Sequence, residues 1–121
     1  MRLVHTLAPF PAYWQEWSAA LAAVDRSVRA NGDARVLMVG DFNATWGNAG
    51  FAALLAAGLT DGAAARGKAT DMTWPNGAIV PPFVRIDHVL TGARLTVTQI
   101  AAKPGFASDH RYLIATVALR T

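Results

Sequence analysis

The sequence predicts a layered domain that mixes helices and strands, of the α/β or α+β class. Residues 36–39 are an apolar run followed by a glycine, which is typical of a strand buried on both faces. Residues 12–30 carry apolar side chains at alternating steps of three and four, the period of an amphipathic helix. The last third of the chain reads as several short strands. We therefore expect a mixed sheet of about five to six strands with two main helices.

Length and composition are consistent with one globular domain. The chain has 121 residues, of which 53% are hydrophobic, enough for a core. The formal net charge of +3 is compatible with a phosphate-bearing partner but lacks the strong positive excess of many nucleic-acid-binding domains. There is no cysteine, which excludes disulfides and thiolate zinc sites. The apolar N-terminal stretch is too short for a signal peptide or a membrane span. We expect a soluble chain without a membrane segment, whose localisation is undetermined, with the cytoplasm as the default.

The first half of the chain predicts a strand, a helix and a second strand. The strand covers residues 2–7, and the helix covers residues 12–30. Residues 31–33 end the helix, because Gly32 is a natural C-terminal cap. The second strand covers residues 35–39, which gives a βαβ-like unit whose strand directions the sequence leaves open. The apolar stripe of the helix consists of Trp14, Trp17, Leu21, Val24 and Val28.

The second half predicts a short helix at residues 49–57, then a long loop, then strands. Residues 59–75 show no period and form a loop-dominated excursion, whose length indicates a binding surface. Asp61 and Asp71 are interpreted as ordinary loop acids within it. Residues 91–94 are predicted to link two strands as a hairpin. The predicted strands of this half cover residues 84–90, 95–101 and 112–119.

Asp41 and Asn43 are the first candidate functional residues. They follow the buried strand directly, at the strand end where open α/β sheets usually bind their ligands. The alternative is a simple turn, because Asp and Asn side chains also hydrogen-bond nearby backbone in loops.

Asp87 is the second candidate, since an acid within an apolar strand is costly unless it is paired. One candidate partner is Arg85, in a structural ion pair. The other is His110, which a carboxylate would hold in one tautomer and make more basic. His88 alternates to the opposite face and is interpreted as structural. Acids on two strand ends together with an Asp-His pair are a suitable cluster for a cation and a general base.

Two tryptophans, Trp46 and Trp74, lie in predicted loops. Each either stacks on a base or sugar of a substrate or simply packs against the protein.

Three sequence blocks together resemble the endonuclease/exonuclease/phosphatase superfamily. They are Gly-Asp-Phe-Asn-Ala at residues 40–44, Arg-Ile-Asp-His-Val at 85–89 and Ser-Asp-His-Arg at 108–111. In this order they are similar to the GDFN, D-x-hydrophobic and SDH motifs of that superfamily, which includes deoxyribonucleases, apurinic-site endonucleases, sphingomyelinases and inositol-phosphate 5-phosphatases. Residues 3–6 are similar to the family strand that ends in a catalytic histidine.

The resemblance implies a role for each matching residue. Asp41 would orient or deprotonate the attacking water, and Asn43 would hold phosphate or metal beside it. His110 would contact the scissile phosphate or act as the base, with Asp87 fixing its orientation. His5 would stabilise or protonate the phosphate.

The resemblance also implies a cofactor and a substrate class. Asp109, directly or through water, would bind a divalent cation together with Asp41 and Asn43. The implied ion is Mg²⁺, with Mn²⁺ as the alternative. The substrate would be a phosphate ester of a nucleic acid, a lipid or an inositol phosphate, and the reaction a metal-dependent hydrolysis of nuclease or phosphatase type.

The resemblance extends over residues 1–121 as a single partial domain that corresponds to the C-terminal half of the family. The metal-anchoring glutamate of the other half has no counterpart, since Glu16, the last glutamate, lies on the helix that packs by its aromatic face. We therefore expect weak or no activity from this chain alone, and self-association through an uncovered sheet face. The alternative to an enzyme is a non-catalytic remnant that serves as a binding or assembly module.

Overall fold

A computed structural model describes residues 1–32 and 34–121 of the chain. Asp33, at the predicted end of the long helix, lies outside the described residues. The described part contains six strands, three α-helices and a short 3₁₀ turn at Pro11–Tyr13. In chain order the elements are β1 (Arg2–His5), α1 (Trp14–Asn31), β2 (Leu37–Asp41), α2 (Ala49–Ala56), β3 (Thr60–Asp61), α3 (Gly62–Ala65), β4 (Asp87–Thr91), β5 (Leu95–Lys103) and β6 (Tyr112–Leu119).

The strands form a four-stranded mixed sheet and a two-stranded sheet. The larger sheet has the order β1-β2-β4-β3, with β1 parallel to β2 and β4 antiparallel to both β2 and β3. The smaller sheet pairs β5 with β6 in antiparallel fashion. The predicted α/β class and the two main helices are confirmed, and the six strands are divided between two sheets.

The predicted hairpin between β4 and β5 is wrong, because these strands belong to different sheets. The turn between them bonds to the segment that precedes β2. Gly92 N–H donates to the carbonyl of Val36 at 2.8 Å, and Arg94 N–H donates to the carbonyl of Ala34 at 2.6 Å. These contacts anchor the link at the end of the first sheet, from which the chain crosses to the second.

One core lies between the helices and the four-stranded sheet. Trp17, Leu21 and Val28 of α1 are buried in it, as the stripe predicts. Trp14 is not, since its side chain is 53% exposed. It lies in the first turn of α1 and covers Trp17 from outside, with the ring centroids 5.0 Å apart. The other buried members of this core are Val4, Met38, Phe42, Ala44, Phe51, Leu54, Leu59 and Leu90.

A second core joins the two sheets. Apolar side chains of β5 and β6 pack against β2, β4 and α3, so the sheets lie face to face. None of the described helices is both long enough and apolar enough to cross a membrane. The buried members of this core are Ala63, Val89, Val97 and Ile100, with Leu37, Val39, Leu113, Ala115 and Val117 partly buried around them.

The predicted loop at residues 59–75 contains β3 and α3, and Asp61 within it is not an ordinary loop acid. The residue is only 2% exposed, because β3 pairs with the buried strand β4. Its carboxylate caps α3 by accepting the backbone N–H of Ala63 at 3.0 Å.

Gly40 allows β1 and β2 to approach at the end where the candidate residues lie. It stands opposite Val4 in the parallel pair and has φ of +136°, a conformation that other residues rarely adopt. A Cβ atom at this position would lie 1.9 Å from the carbonyl oxygen of Val4. Only glycine fits here without moving β1.

We predict that Gly40→Ala lowers the free energy of unfolding by more than about 2 kcal/mol, because the methyl group overlaps backbone and the φ angle is unfavourable for alanine. Urea denaturation measures the change. The matched control is Gly47→Ala, whose added Cβ would meet only the Thr45 hydroxyl, at 3.9 Å. It should change stability by less than about 0.5 kcal/mol. Equal stability of the two variants would contradict the close approach of β1 and β2.

Candidate active site

Phe42 separates Asp41 from Asn43 and determines the direction of both. Its ring is fully buried. Its carbonyl accepts hydrogen bonds from the Thr6 hydroxyl at 2.7 Å and from the Trp17 indole N–H at 3.2 Å. Asp41 and Asn43, on either side of this anchored residue, therefore direct their side chains to the cleft on the other side of the sheet end.

Asp41 and Asn43 form a turn and also line the cleft, so the turn does not exclude a functional role. Asn43 N–H donates to Asp41 Oδ1 at 2.7 Å, and the Asn43 side-chain amide donates to Asp41 Oδ2 at 3.1 Å. The same amide donates to the Thr6 carbonyl at 2.9 Å. Asn43 has φ of +47°, in the left-handed region that asparagine tolerates better than most residues.

The partner of Asp87 is His110. His110 Nδ1 lies 2.8 Å from Asp87 Oδ2, a hydrogen bond between side chains that are each mostly buried. Arg85 makes no ion pair with Asp87 among the described residues. Instead its guanidinium is buried and donates to the backbone carbonyl of Asp71.

Strand register brings a second carboxylate and a second histidine to the same place. Asp41 pairs with His5 across β1 and β2, and with Asp87 across β2 and β4. Asp41 Oδ2 lies 3.8 Å from His110 Nε2 and 4.0 Å from His5 Nε2. The His5 ring is 81% exposed and stands at the rim. The structure therefore brings together five residues predicted from sequence, namely His5, Asp41, Asn43, Asp87 and His110.

The electrostatics of this cluster are mutually dependent. Burial raises the pKa of Asp41, and the nearby charge of Asp87 adds to that effect, whereas the Asn43 backbone N–H and the two histidines oppose it. Burial alone would lower the pKa of His110, but the hydrogen bond and charge of Asp87, with the charges of Asp41 and Asp109, raise it above its ordinary value. The cluster thus favours a charged imidazole between two carboxylates.

The same residues fit a divalent cation. Asp41, Asp87 and His110 each offer one ligand atom, and these atoms lie within 4.8 Å of one another. Mg²⁺ is commonly held by one or two carboxylates together with waters and substrate phosphate, so Asp41 and Asp87 are an adequate donor set, whereas a charged His110 offers no lone pair to the ion. Asp109 does not belong to that group. It is exposed, and its carboxylate accepts the Trp74 indole N–H at 3.3 Å.

A cleft of about 510 Å³ opens beside the cluster. Asp109 and Trp74 line it, and the Trp74 ring packs edge-on against Phe83 with the centroids 5.6 Å apart. Trp46 lies elsewhere, with its indole N–H donating to Asp61 at 2.8 Å. Sequence reasoning missed Phe10, Val84 and Ile86, which form apolar walls of this cleft. No periodic signal marks them.

We predict that His110 titrates above about pH 6.5, the ordinary histidine value, and that Asp87→Asn lowers its pKa by removing the carboxylate. The ring-proton NMR shift of His110 against pH measures both, without divalent cation. Because the folded pKa is raised, the stability that charged His110 contributes is complete below about pH 6.5 and is lost as pH rises through the folded pKa. Asp71→Asn, an acid away from the cluster, should leave the titration unchanged. A His110 pKa that is the same in the Asp87→Asn variant would refute the pairing.

Solved structures with this fold are known from several organisms. The 3′ phosphatase NExo from Neisseria, bound to a product DNA hairpin, is 19% identical with a TM-score of 0.75, over 94% of this chain and 59% of that one. Humanised TDP2 from D. rerio is 24% identical with a TM-score of 0.72, over 96% and 53%. A mannosyl-6-phosphatase from Bacteroides thetaiotaomicron VPI-5482 is 15% identical with a TM-score of 0.69, over 97% and 50%. The chain thus spans about half the length of these structures.

No curated protein matches this sequence. The family model of the Endonuclease/Exonuclease/phosphatase family matches residues 2–110, which include the whole cluster described above. Because that match covers most of the chain and the fold agrees with it, this protein belongs to the Endonuclease/Exonuclease/phosphatase family.

Proposed function

We propose that this chain carries a metal-dependent phosphoester hydrolase site in which water attacks phosphorus. The observation that supports it best is His110, held by Asp87 at 2.8 Å and facing Asp41 at 3.8 Å. An acid, a histidine and a second acid in this order supply both a base for water and a donor for phosphate.

The charges of the cluster support a division of roles between Asp41 and His110. A carboxylate with a raised pKa is a stronger base, so Asp41 orients the attacking water and accepts its proton. A histidine with a raised pKa stays charged, so His110 donates a hydrogen bond through Nε2 to a phosphate oxygen. Asn43 holds Asp41 in place, and the exposed ring of His5 contacts the phosphate at the rim.

Asp41, with Asp87 within reach, would hold the cation, and we propose Mg²⁺ with Mn²⁺ as the alternative. When bound, such an ion neutralises the charge that grows on the phosphate oxygens. Asn43 and Asp109 remain ligand predictions from the sequence. Asp109 is within reach of the same cleft, although it bonds to Trp74.

The substrate is proposed to be a phosphate ester whose leaving group has an apolar or planar face. The cleft beside the cluster is lined by polar groups and by apolar side chains, including Trp74. Solved relatives include a 3′ phosphatase bound to a DNA hairpin and a mannosyl-6-phosphatase, which supports a phosphate ester as the common element. Phosphate esters of nucleic acids and of lipids, and inositol phosphates, all belong to this substrate class.

We predict slow, Mg²⁺-dependent hydrolysis of bis-p-nitrophenyl phosphate by the chain. Asp41→Asn and His110→Gln should each reduce the rate by about 100-fold or more, because each removes a group that acts on the reacting atoms. Release of p-nitrophenol measures the rate. Asp25→Asn is the matched control, since this acid pairs with Arg29 on α1 and should leave the rate unchanged.

The Asp109→Asn variant distinguishes a role of Asp109 as a metal ligand from a role limited to its hydrogen bond with Trp74. If Asp109 is a ligand, the variant needs more Mg²⁺ to reach half of its maximal rate, whereas a role limited to Trp74 leaves that concentration unchanged. Hydrolysis that survives both Asp41→Asn and His110→Gln would show that the site is wrongly assigned.

We also propose that the chain associates with a second copy of itself, as an assembly module would. Among the described residues β6 pairs only with β5, so its other edge is free. Tyr112 and Ile114 on β6 are 51% and 58% exposed, and they alternate with core residues of the same strand, so they form an exposed apolar sheet face beside this edge. Leu3 on the edge strand β1 is 81% exposed. Free strand edges that carry apolar side chains favour pairing with another chain. Two β6 edges related by a two-fold axis would pair in antiparallel fashion, which is a closed arrangement.

We predict that the chain is dimeric at micromolar concentration and that Ile114→Lys shifts it towards monomer, because a charge on this edge opposes strand pairing. Sedimentation equilibrium measures the dissociation constant, which should rise by about tenfold or more. Ser18→Lys places the same charge on the exposed side of α1 and should have no effect. A wild-type chain that sediments as a monomer at all concentrations would exclude this association.

A further inference from the structure

A buried network of side chains lies behind the loop of residues 42–48, which connects β2 to α2 and contains Asn43. The network lies on the side of this loop away from the cleft. It consists of Asp61 and His88, which are 2% and 0% exposed, and the indole N–H of Trp46. None of these side chains lines the cleft of the candidate site. From the sequence, His88 is interpreted as structural and Asp61 as an ordinary loop acid.

His88 holds the backbone of the loop. Its Nε2 lies 2.8 Å from the carbonyl oxygen of Ala44. A carbonyl only accepts hydrogen bonds, so this nitrogen carries a proton and donates. The ring is fixed in that direction by packing on Phe51 at a centroid distance of 4.2 Å and edge-on against Phe42 at 5.8 Å. Ala44 directly follows Asn43, so the bond acts one residue from the site.

Asp61 lies beside His88 and binds Trp46, at the far end of the same loop. Its Oδ2 accepts the Trp46 indole N–H at 2.8 Å and lies 3.4 Å from His88 Nδ1. Its Oδ1 accepts Ala63 N–H at 3.0 Å, which fixes the carboxylate on the scaffold of β3 and α3. The positive charge of Arg85 is close enough to interact with Asp61 as well.

The loop is therefore held from two directions. On the upstream side, Thr6 and Trp17 bond to the carbonyl of Phe42. On the downstream side, His88 bonds to Ala44 and Asp61 bonds to Trp46. Between the two lies Asn43, with its φ of +47°. A residue keeps such a conformation only where its surroundings enforce it.

We propose that His88 and Asp61 are positioning residues, which hold residues 44–46 so that Asn43 keeps its left-handed conformation and Asp41 its orientation towards the cleft. Their effect on chemistry rests on the proposed function, but their effect on the loop does not. The second sheet packs on the other face of the larger sheet, away from this pair, so its amides report on the stability of the fold separately from that of the loop.

The test compares His88→Phe with His88→Gln by amide hydrogen exchange. Phenylalanine keeps a ring between Phe42 and Phe51 but removes the donor to Ala44, whereas glutamine keeps an N–H donor. In His88→Phe the amides of Phe42 and Asn43 should exchange about tenfold faster, as expected for the loss of one hydrogen bond. The amides of Val97 and Ile100 in β5 should change by less than about twofold, and His88→Gln should restore most of the protection of the loop.

Trp46→Phe is the second variant, because Trp46 is 50% exposed and its replacement should not prevent folding. This variant removes only the hydrogen bond to Asp61, and it should accelerate hydrogen exchange at the amides of Phe42 and Asn43. If hydrogen exchange of the loop amides and of the β5 amides accelerated equally in both variants, the proposal would be overturned. Equal acceleration means that the whole fold is destabilised, which is what a purely structural role predicts. Unchanged loop amides in both variants would overturn it as well.

The rate of bis-p-nitrophenyl phosphate hydrolysis measures the effect of the same variants on activity. If the chain is active, Trp46→Phe and His88→Phe should lower kcat by about tenfold with little change in KM, because the groups that act on the transition state are misplaced while the cleft persists. An inactive wild-type chain would contradict the proposed function, whereas local acceleration of the loop amides would still support the positioning role.

Discussion

The candidate site depends on the burial of Phe42. Its ring packs edge-on against Phe51 and His88, each at a centroid distance of 5.8 Å, and burial of such a side chain contributes roughly 1.5–3 kcal/mol to folding. Because adjacent side chains point to opposite sides, the same burial directs Asp41 and Asn43 to the cleft. The interaction that stabilises the helix-side core therefore also sets the direction of the reactive side chains.

The charges of the site follow from strand register. β2 lies between β1 and β4, so Asp41 faces His5 on one side and Asp87 on the other. Burial raises the pKa of Asp41, and repulsion by the nearby Asp87 carboxylate adds to the effect. His110 lies between them and offsets the repulsion. A shift of any of the three strands would separate these groups, which is why the close approach at Gly40 matters for chemistry as well as for stability.

Strand β6 is involved both in the proposed hydrolase site and in the proposed self-association. The segment just before this strand places His110 against Asp87, while the strand itself leaves one edge free and exposes Tyr112 and Ile114. A second copy on this edge would lie next to the segment that carries His110.

The sequence by itself determined the fold class, the family and the residues of the cluster, because apolar periods and short motifs are local properties of the chain. It could not choose between Arg85 and His110 as the partner of Asp87, it predicted a hairpin after β4 that does not form, and it gave Asp61 no role. Each of these depends on contacts between segments distant in sequence: 23 residues separate Asp87 from His110. Burial and pairing of a polar side chain are set by what packs against it, so only the tertiary structure decided them.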